Sequence, residues 1–127
     1  MISIVGIGNP ASKIATLFKE TSNYDVFCLN SAVKKNSKRN FRLKDYDNPE
    51  EYEKNIPNLK KFFTEIQDTV QVIVVGASNS SNYTLGILEQ IKDKKIELFY
   101  IMPDTELMNG TKKLINNAVF GVLHNNF

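Results

Sequence analysis

The stretch "VQVIVVG", residues 70–76, is apolar at four successive positions from Val72 to Val75. A strand with one wet face alternates apolar and polar residues, so an unbroken run implies burial on both faces, as in a parallel sheet covered by helices. Upstream, Leu59, Phe62, Phe63 and Ile66 follow i, i+3, i+4, i+7 spacing and predict a helix starting near Pro57. Downstream, "ASNSSNYT" leads to a helix over about 84–93 with Leu85, Leu88 and Ile91 inward, then to the strand "IELFYIM".

The same alternation runs outward to both ends. Ile2, Ile4, Val5 and Ile7 make a first strand, and residues 10–21 a helix with Ile14, Leu17 and Phe18 on one face. Pro10 suits its first turn, where a missing N–H costs little. A second strand, "YDVFCLN", ends in the polar "NSAVKKNSKRNFRLK". Asn48, Pro49 and Glu51 stand in capping order for a short helix within 47–55. A last helix, 111–124, carries Leu114, Ile115, Ala118, Val119, Val122 and Leu123 on one stripe. Strands alternating with helices give an α/β, Rossmann-like three-layer sandwich with a mainly parallel sheet, whose ligands belong beyond the carboxyl ends of the strands.

At 127 residues and 42% hydrophobic, the chain fits a single domain, 1–127, able to bury a core without disulfides. A net charge of +2 is too mild to make nucleic acid or an anionic membrane the principal partner. The one cysteine, Cys28, lies in an apolar strand and reads as buried and reduced. There is no run of the roughly 18 apolar residues a membrane span needs, and no basic leader precedes the first strand. Lysine outnumbers arginine 14 to 2 and there are 15 asparagines, a bias associated with AT-rich genomes. The expected location is the cytoplasm of a bacterium or of a phage-infected host.

Two loops then fall on one edge of the sheet. "GIGNPAS" offers Gly6 and Gly8 for a tight turn and the positive end of a helix for a phosphate. "GASNSSNYT" holds Ser78, Asn79, Ser80, Ser81 and Asn82 between a strand and a helix, crowding donors where a second phosphate would sit. Each loop also reads as a plain turn or helix cap. Gly6-x-Gly8-x-x-Ala11 satisfies a dinucleotide pattern, and Asn30, followed by Ser31, Lys34 and Lys35, would suit a 2′-phosphate, which makes NADP the alternative ligand.

The other candidates read as structural. The basic run Lys34, Lys35, Lys38, Arg39, Arg42, Lys44 is expected to be a solvated loop balanced by the acidic stretch from Asp45 to Glu53. The tyrosines do not interleave with it as in a base-stacking surface. His124 has no second histidine for a zinc site, and Asp104 and Glu106 read as capping or solvated residues.

Followed along nearly its whole length, the chain resembles the nucleotide-binding half of the tubulin/FtsZ family. Gly8-Asn9 resembles the Gly-Asn of the tubulin loop after strand one, with Ser12 where glycine is usual. "CLNSA" resembles the FtsZ "NTDAQ" segment at Asn30 and Ser31, and "NLKKFFTEIQDTVQVIVVG" has the layout leading into the glycine-rich signature loop. "LGILEQIKDKKIELFYIMPD" resembles the tubulin helix and strand ending in Val-Val-Pro-Ser. "NGTKKLINNAVFGVL" resembles both the FtsZ "EGxxR" region and a tubulin helix.

The signature loop keeps Gly76 but continues Ala77-Ser78-Asn79-Ser80-Ser81-Asn82. Asn109 stands for the glutamate of "EGxxR" and Lys113 for its arginine. The resemblance implies a site for GTP or GDP, with or without magnesium, built from both loops with Asn109 and Lys113 near the ribose, and self-association as the family's mode of assembly. The sequence given stops at Phe127, before the family's central helix and acidic synergy loop, so no catalytic residue is assigned. The expectation is a fragment or degenerate relative that binds nucleotide without hydrolysing it alone. A non-catalytic interaction protein with an empty nucleotide fold is the third reading.

Overall fold

The computed structural model describes residues 1–76 and 78–102. Five strands, β1 (Ile2–Ile7), β2 (Tyr24–Asn30), β3 (Asn40–Arg42), β4 (Thr69–Val75) and β5 (Lys95–Ile101), form one sheet in the order β3-β2-β1-β4-β5. Every neighbouring pair is parallel. The order reverses direction between β1 and β4, so the loops leaving these two central strands diverge to opposite sides. A crevice opens at such a point in α/β sheets.

The two faces of β1, β2 and β4 feed separate cores, as their apolar runs require, while β5 lends Ile96, Leu98 and Tyr100 to one core and leaves Phe99 and Ile101 exposed. On one face Ile4, Val26, Cys28 and Ile73 pack under Ala11 and Ala15 of helix α1 (Asn9–Thr16). On the other, Val5, Ile7, Phe27, Leu29, Val72 and Val74 lie under Tyr52 of α2 (Pro49–Lys54), the segment 59–66, and Ile87 and Leu88 of α3 (Thr84–Glu89). Asn48 caps α2 as its sequence suggests, its side chain accepting from the Glu51 amide at 3.1 Å. Cys28 is buried and free. Among the described residues no helix is long and apolar enough to cross a membrane.

The structure differs from the sequence reading at four places. Residues 59–66 form successive turns, with the Phe63 amide on the Leu59 carbonyl and the Ile66 amide on the Phe63 carbonyl, and no helix is continuous there. Leu59, Phe63 and Ile66 are nonetheless buried, and Phe62 and Phe63 both meet Phe27 edge-on. Leu17 is 76% exposed; α1 buries the small residues Ala11, Ser12 and Ala15 instead. The helix predicted over 84–93 is six residues long and follows a 3-10 turn over Asn79–Tyr83.

The fourth difference is β3, a strand inside the polar stretch after β2, paired through Cys28↔Asn40 and Asn30↔Arg42. The Arg39 carbonyl and the Leu43 amide bond to β2, so the groups of Asn40 and Arg42 turn the other way. The Ser37 amide takes the Asn40 carbonyl at 2.9 Å, and the Asn36 side chain takes the Arg42 amide at 2.7 Å. The helix expected over 111–124 lies outside the described residues.

Candidate functional site

The first loop is shaped by two close approaches. A Cβ on Gly6 would stand 2.9 Å from the Ala11 carbonyl oxygen and 3.0 Å from the Ala15 Cβ, so only glycine lets α1 lie directly on β1. Gly8 turns the chain out of β1 at φ 98°, ψ 166°, a region essentially reserved for glycine. Its amide donates to the Leu29 carbonyl at 2.7 Å, and its carbonyl accepts from Ser12, opening α1. Pro10 has no amide, no side chain caps the helix, and no described group accepts from the amides of Asn9 or Ala11.

Asn30 closes this loop from below. Buried at the end of β2, it donates from Nδ2 to the Ser12 hydroxyl at 2.9 Å, while Oδ1 accepts from the amides of Ala32 and Val33, each at 3.0 Å. The Ser12 hydroxyl in turn donates to the Gly6 carbonyl at 3.4 Å. The carboxamide oxygen and one of its two N–H donors are thus committed within the fold. Asn30 and Ser12 hold the loop's shape. Asn9, exposed, reaches Ser31 at 3.4 Å.

The second loop bonds mainly to itself. Gly76 continues the ladder to β5 through the Ile101 carbonyl. Ser78 donates to the Val75 carbonyl, Ser81 to the Ser78 carbonyl at 2.6 Å, Asn82 to the Asn79 carbonyl, and Thr84 to the Ser81 carbonyl. These are local side-chain bonds that wind the segment into its 3-10 turn. Asn79 is exposed. Ser80 differs from its neighbours: it is 6% exposed, and its hydroxyl has no hydrogen-bond partner among the described residues. It packs against the first loop, its Cβ 3.2 Å from where a Gly8 Cβ would be, with Ser78 Oγ at 3.6 Å.

The structure therefore brings Gly8, Ser78 and Ser80 into contact at the β1–β4 crevice, and links Ser12 to Asn30 and Asn9 to Ser31. Ser81 and Asn82 turn back onto their own backbone. Asn109 and Lys113, with Asp104, Glu106 and His124, lie outside the described residues. The basic run does not pair with the acidic stretch that follows it. Among the described residues Arg39 alone of the six is in ion pairs, with Asp25 at 2.7 Å and Glu65 at 3.2 Å, and its guanidinium lies 4.6 Å from the Phe27 ring centroid. Sequence reasoning missed the contact between Gly8 and Ser80, because residues 72 apart meet only through the β1–β4 pairing.

The arrangement can hold an anion by backbone donors at the start of α1. Among the described residues no three His, Cys, Asp or Glu side chains converge as a metal cluster. Comparison with protein-family models, curated proteins and solved structures finds no match to this chain.

Proposed function

We propose that this chain is a nucleotide-binding domain that seats ligand phosphate over the Gly8–Ser12 turn. One observation carries the reading: at the point where strand order reverses, a glycine-only turn opens α1 with the Asn9 and Ala11 amides unclaimed and the Ser80 hydroxyl buried beside it. Backbone donors at a helix start, reinforced by its dipole, are suited to phosphate oxygens. GTP or GDP is the first ligand to test, because the resemblance to the tubulin/FtsZ family names it. The role proposed is binding, with hydrolysis only if a C-terminal half or a partner subunit completes the site, in the cytoplasm of a bacterium or phage-infected host.

The self-bonded second loop favours a second reading, an interaction protein whose nucleotide site is empty. Unfolding midpoints with GTP, GDP, ATP, NADPH or buffer separate the two. A ligand of the native state at 100 times its dissociation constant adds about 2.7 kcal/mol. A rise with GTP and GDP supports the guanine-nucleotide reading, a rise with NADPH alone transfers the site to a dinucleotide, and no rise with any of them supports the empty fold.

A further inference from the structure

The carboxyl ends of β2 and β3 open on a cleft of about 900 Å³, walled by Ser31, Lys34, Lys35, Arg42, Lys44 and Asp45. Four cations face it with one carboxylate, and none of the four has an ion-pair partner among the described residues. Elsewhere the chain does pair such groups: Arg39 is held by Asp25 and Glu65, and Lys94 by Asp68.

The cleft's walls are fixed by the fold. The Leu43 amide bonds to the Asn30 carbonyl, the Asn36 side chain clasps the Arg42 amide at 2.7 Å, and the Lys44 ammonium stands 5.3 Å from the Tyr46 ring centroid. Lys44 is thereby oriented by an aromatic face and left without a carboxylate. Converging like charges repel one another, and a bound anion removes that repulsion.

We propose that this cleft is an anion site for a phosphomonoester carried on a nucleoside-sized body. A dianionic phosphate offsets two of the three excess positive charges, and Arg42 can offer it a two-pronged donor. A phosphate alone leaves most of the space empty, whereas the volume is that of an ordinary small-molecule pocket. The inference stands apart from the reading of the Gly8 turn. Because Asn9 and Ser31 join the two places, the phosphomonoester has two sources: a second phosphate on a nucleotide seated at the turn, or a separate ligand.

Isothermal titration of the full chain with 2′-AMP, 5′-AMP, 2′,5′-ADP and the phosphodiester ApA tests this. The monoesters are expected to bind and ApA not to, with affinity falling as pH drops from 7.5 to 5, because the second phosphate pKa is about 6. The double variant K35A/R42A removes two exposed side chains. It is expected to weaken 2′-AMP at least tenfold while the distant K92A does not, and R42K in place of R42A recovers part of the loss. If 2′,5′-ADP binds at least tenfold more tightly than 2′-AMP and G8V removes that gain, one ligand bridges both places; equal affinities mean a separate ligand. Failure of 2′-AMP to bind, equal binding of ApA, or binding indifferent to K35A/R42A overturns the proposal. Because 2′-AMP has no 5′-phosphate, its result does not depend on the Gly8 turn.

Discussion

Replacing Gly8 with alanine separates backbone strain from contact in the β1–α1 turn. At φ 98°, ψ 166° a residue with a Cβ is in a region that costs about 1–3 kcal/mol. The added methyl also meets the Ser80 Cβ at 3.2 Å, tight enough that one side must give by a few tenths of an ångström. Overpacking of that kind adds about 1 kcal/mol, for a total of about 2–4 kcal/mol. Against a typical domain stability of about 5–15 kcal/mol this is a large fraction.

Urea unfolding followed by far-UV circular dichroism measures it, with S80G and G8A/S80G completing a double-mutant cycle. Removing the Ser80 side chain relieves the contact and leaves the dihedral strain, so the coupling term is expected to be about 1 kcal/mol at most. A G8A loss below about 0.5 kcal/mol would mean the turn relaxes freely and the glycine is not required by φ. Full restoration by S80G would mean that crowding, and no backbone strain, sets the cost.

Two further outcomes follow from buried polar groups. Asn30→Leu strands the amides of Ala32 and Val33 and removes the donor to the Ser12 hydroxyl, which keeps its bond to the Gly6 carbonyl, a loss of about 2–4 kcal/mol in urea unfolding, whereas Asn30→Asp keeps the acceptor for both amides and is expected to lose less than half as much. Equal losses would show that the two amides find other partners. Burial is the main cause that raises the Tyr52 and Tyr83 phenols above their ordinary value of 10, Tyr83 strongly. The unfolded chain then gives up these protons first, so their contribution is intact below pH 10 and is lost as pH climbs past it. The slope is up to about 1.4 kcal/mol per pH unit for each phenol. Tyr83→Phe is expected to flatten that alkaline decline in stability measured from pH 9 to 11.5, and an unchanged slope would place the ionisation elsewhere.

The parts of this fold legible in the sequence are those where burial alone dictates residue type. β1, β2 and β4 show as apolar runs because both of their faces are covered; β5 half-buries one face only, and its exposed Phe99 and Ile101 are apolar without that cause. The segment 59–66 shows the limit of that signal: its helical spacing correctly marks Leu59, Phe63 and Ile66 as buried, but periodicity reports which side chains face the core and not which amide meets which carbonyl. There the Leu59 amide is taken by the Gln90 side chain at 2.7 Å, and the segment settles into turns. Leu17 misleads for a related reason. Gly6 brings α1 so close to β1 that small residues fill the contact, and the larger leucine is turned out.

The candidate site divides the same way. Glycines at 6 and 8 and the polar loop after β4 are visible as types and spacings. Which hydroxyls are spent on their own backbone is not, since Ser78, Ser80 and Ser81 are equivalent as letters and differ only in where the 3-10 turn points them. The basic cleft gathers its cations from 34–35 and 42–44, and β3 folds those two groups onto one rim. β3 itself is three residues set among lysines, held by pairing with Cys28–Asn30, and nothing local announces it.

That short strand also has a consequence for how the molecule behaves in a crowd. A sheet's edge is a template, offering rows of amides and carbonyls to any extended chain that drifts past. Here two of the rungs a newcomer would grasp, the Asn40 carbonyl and the Arg42 amide, are already occupied by Ser37 and Asn36 of the chain's own returning loop. Lys38 and Arg42 add charge beside them, a familiar deterrent to edge-to-edge growth. The sheet is therefore finished on its β3 side, where an incoming strand, whether in assembly or in misfolding, finds little left to grasp.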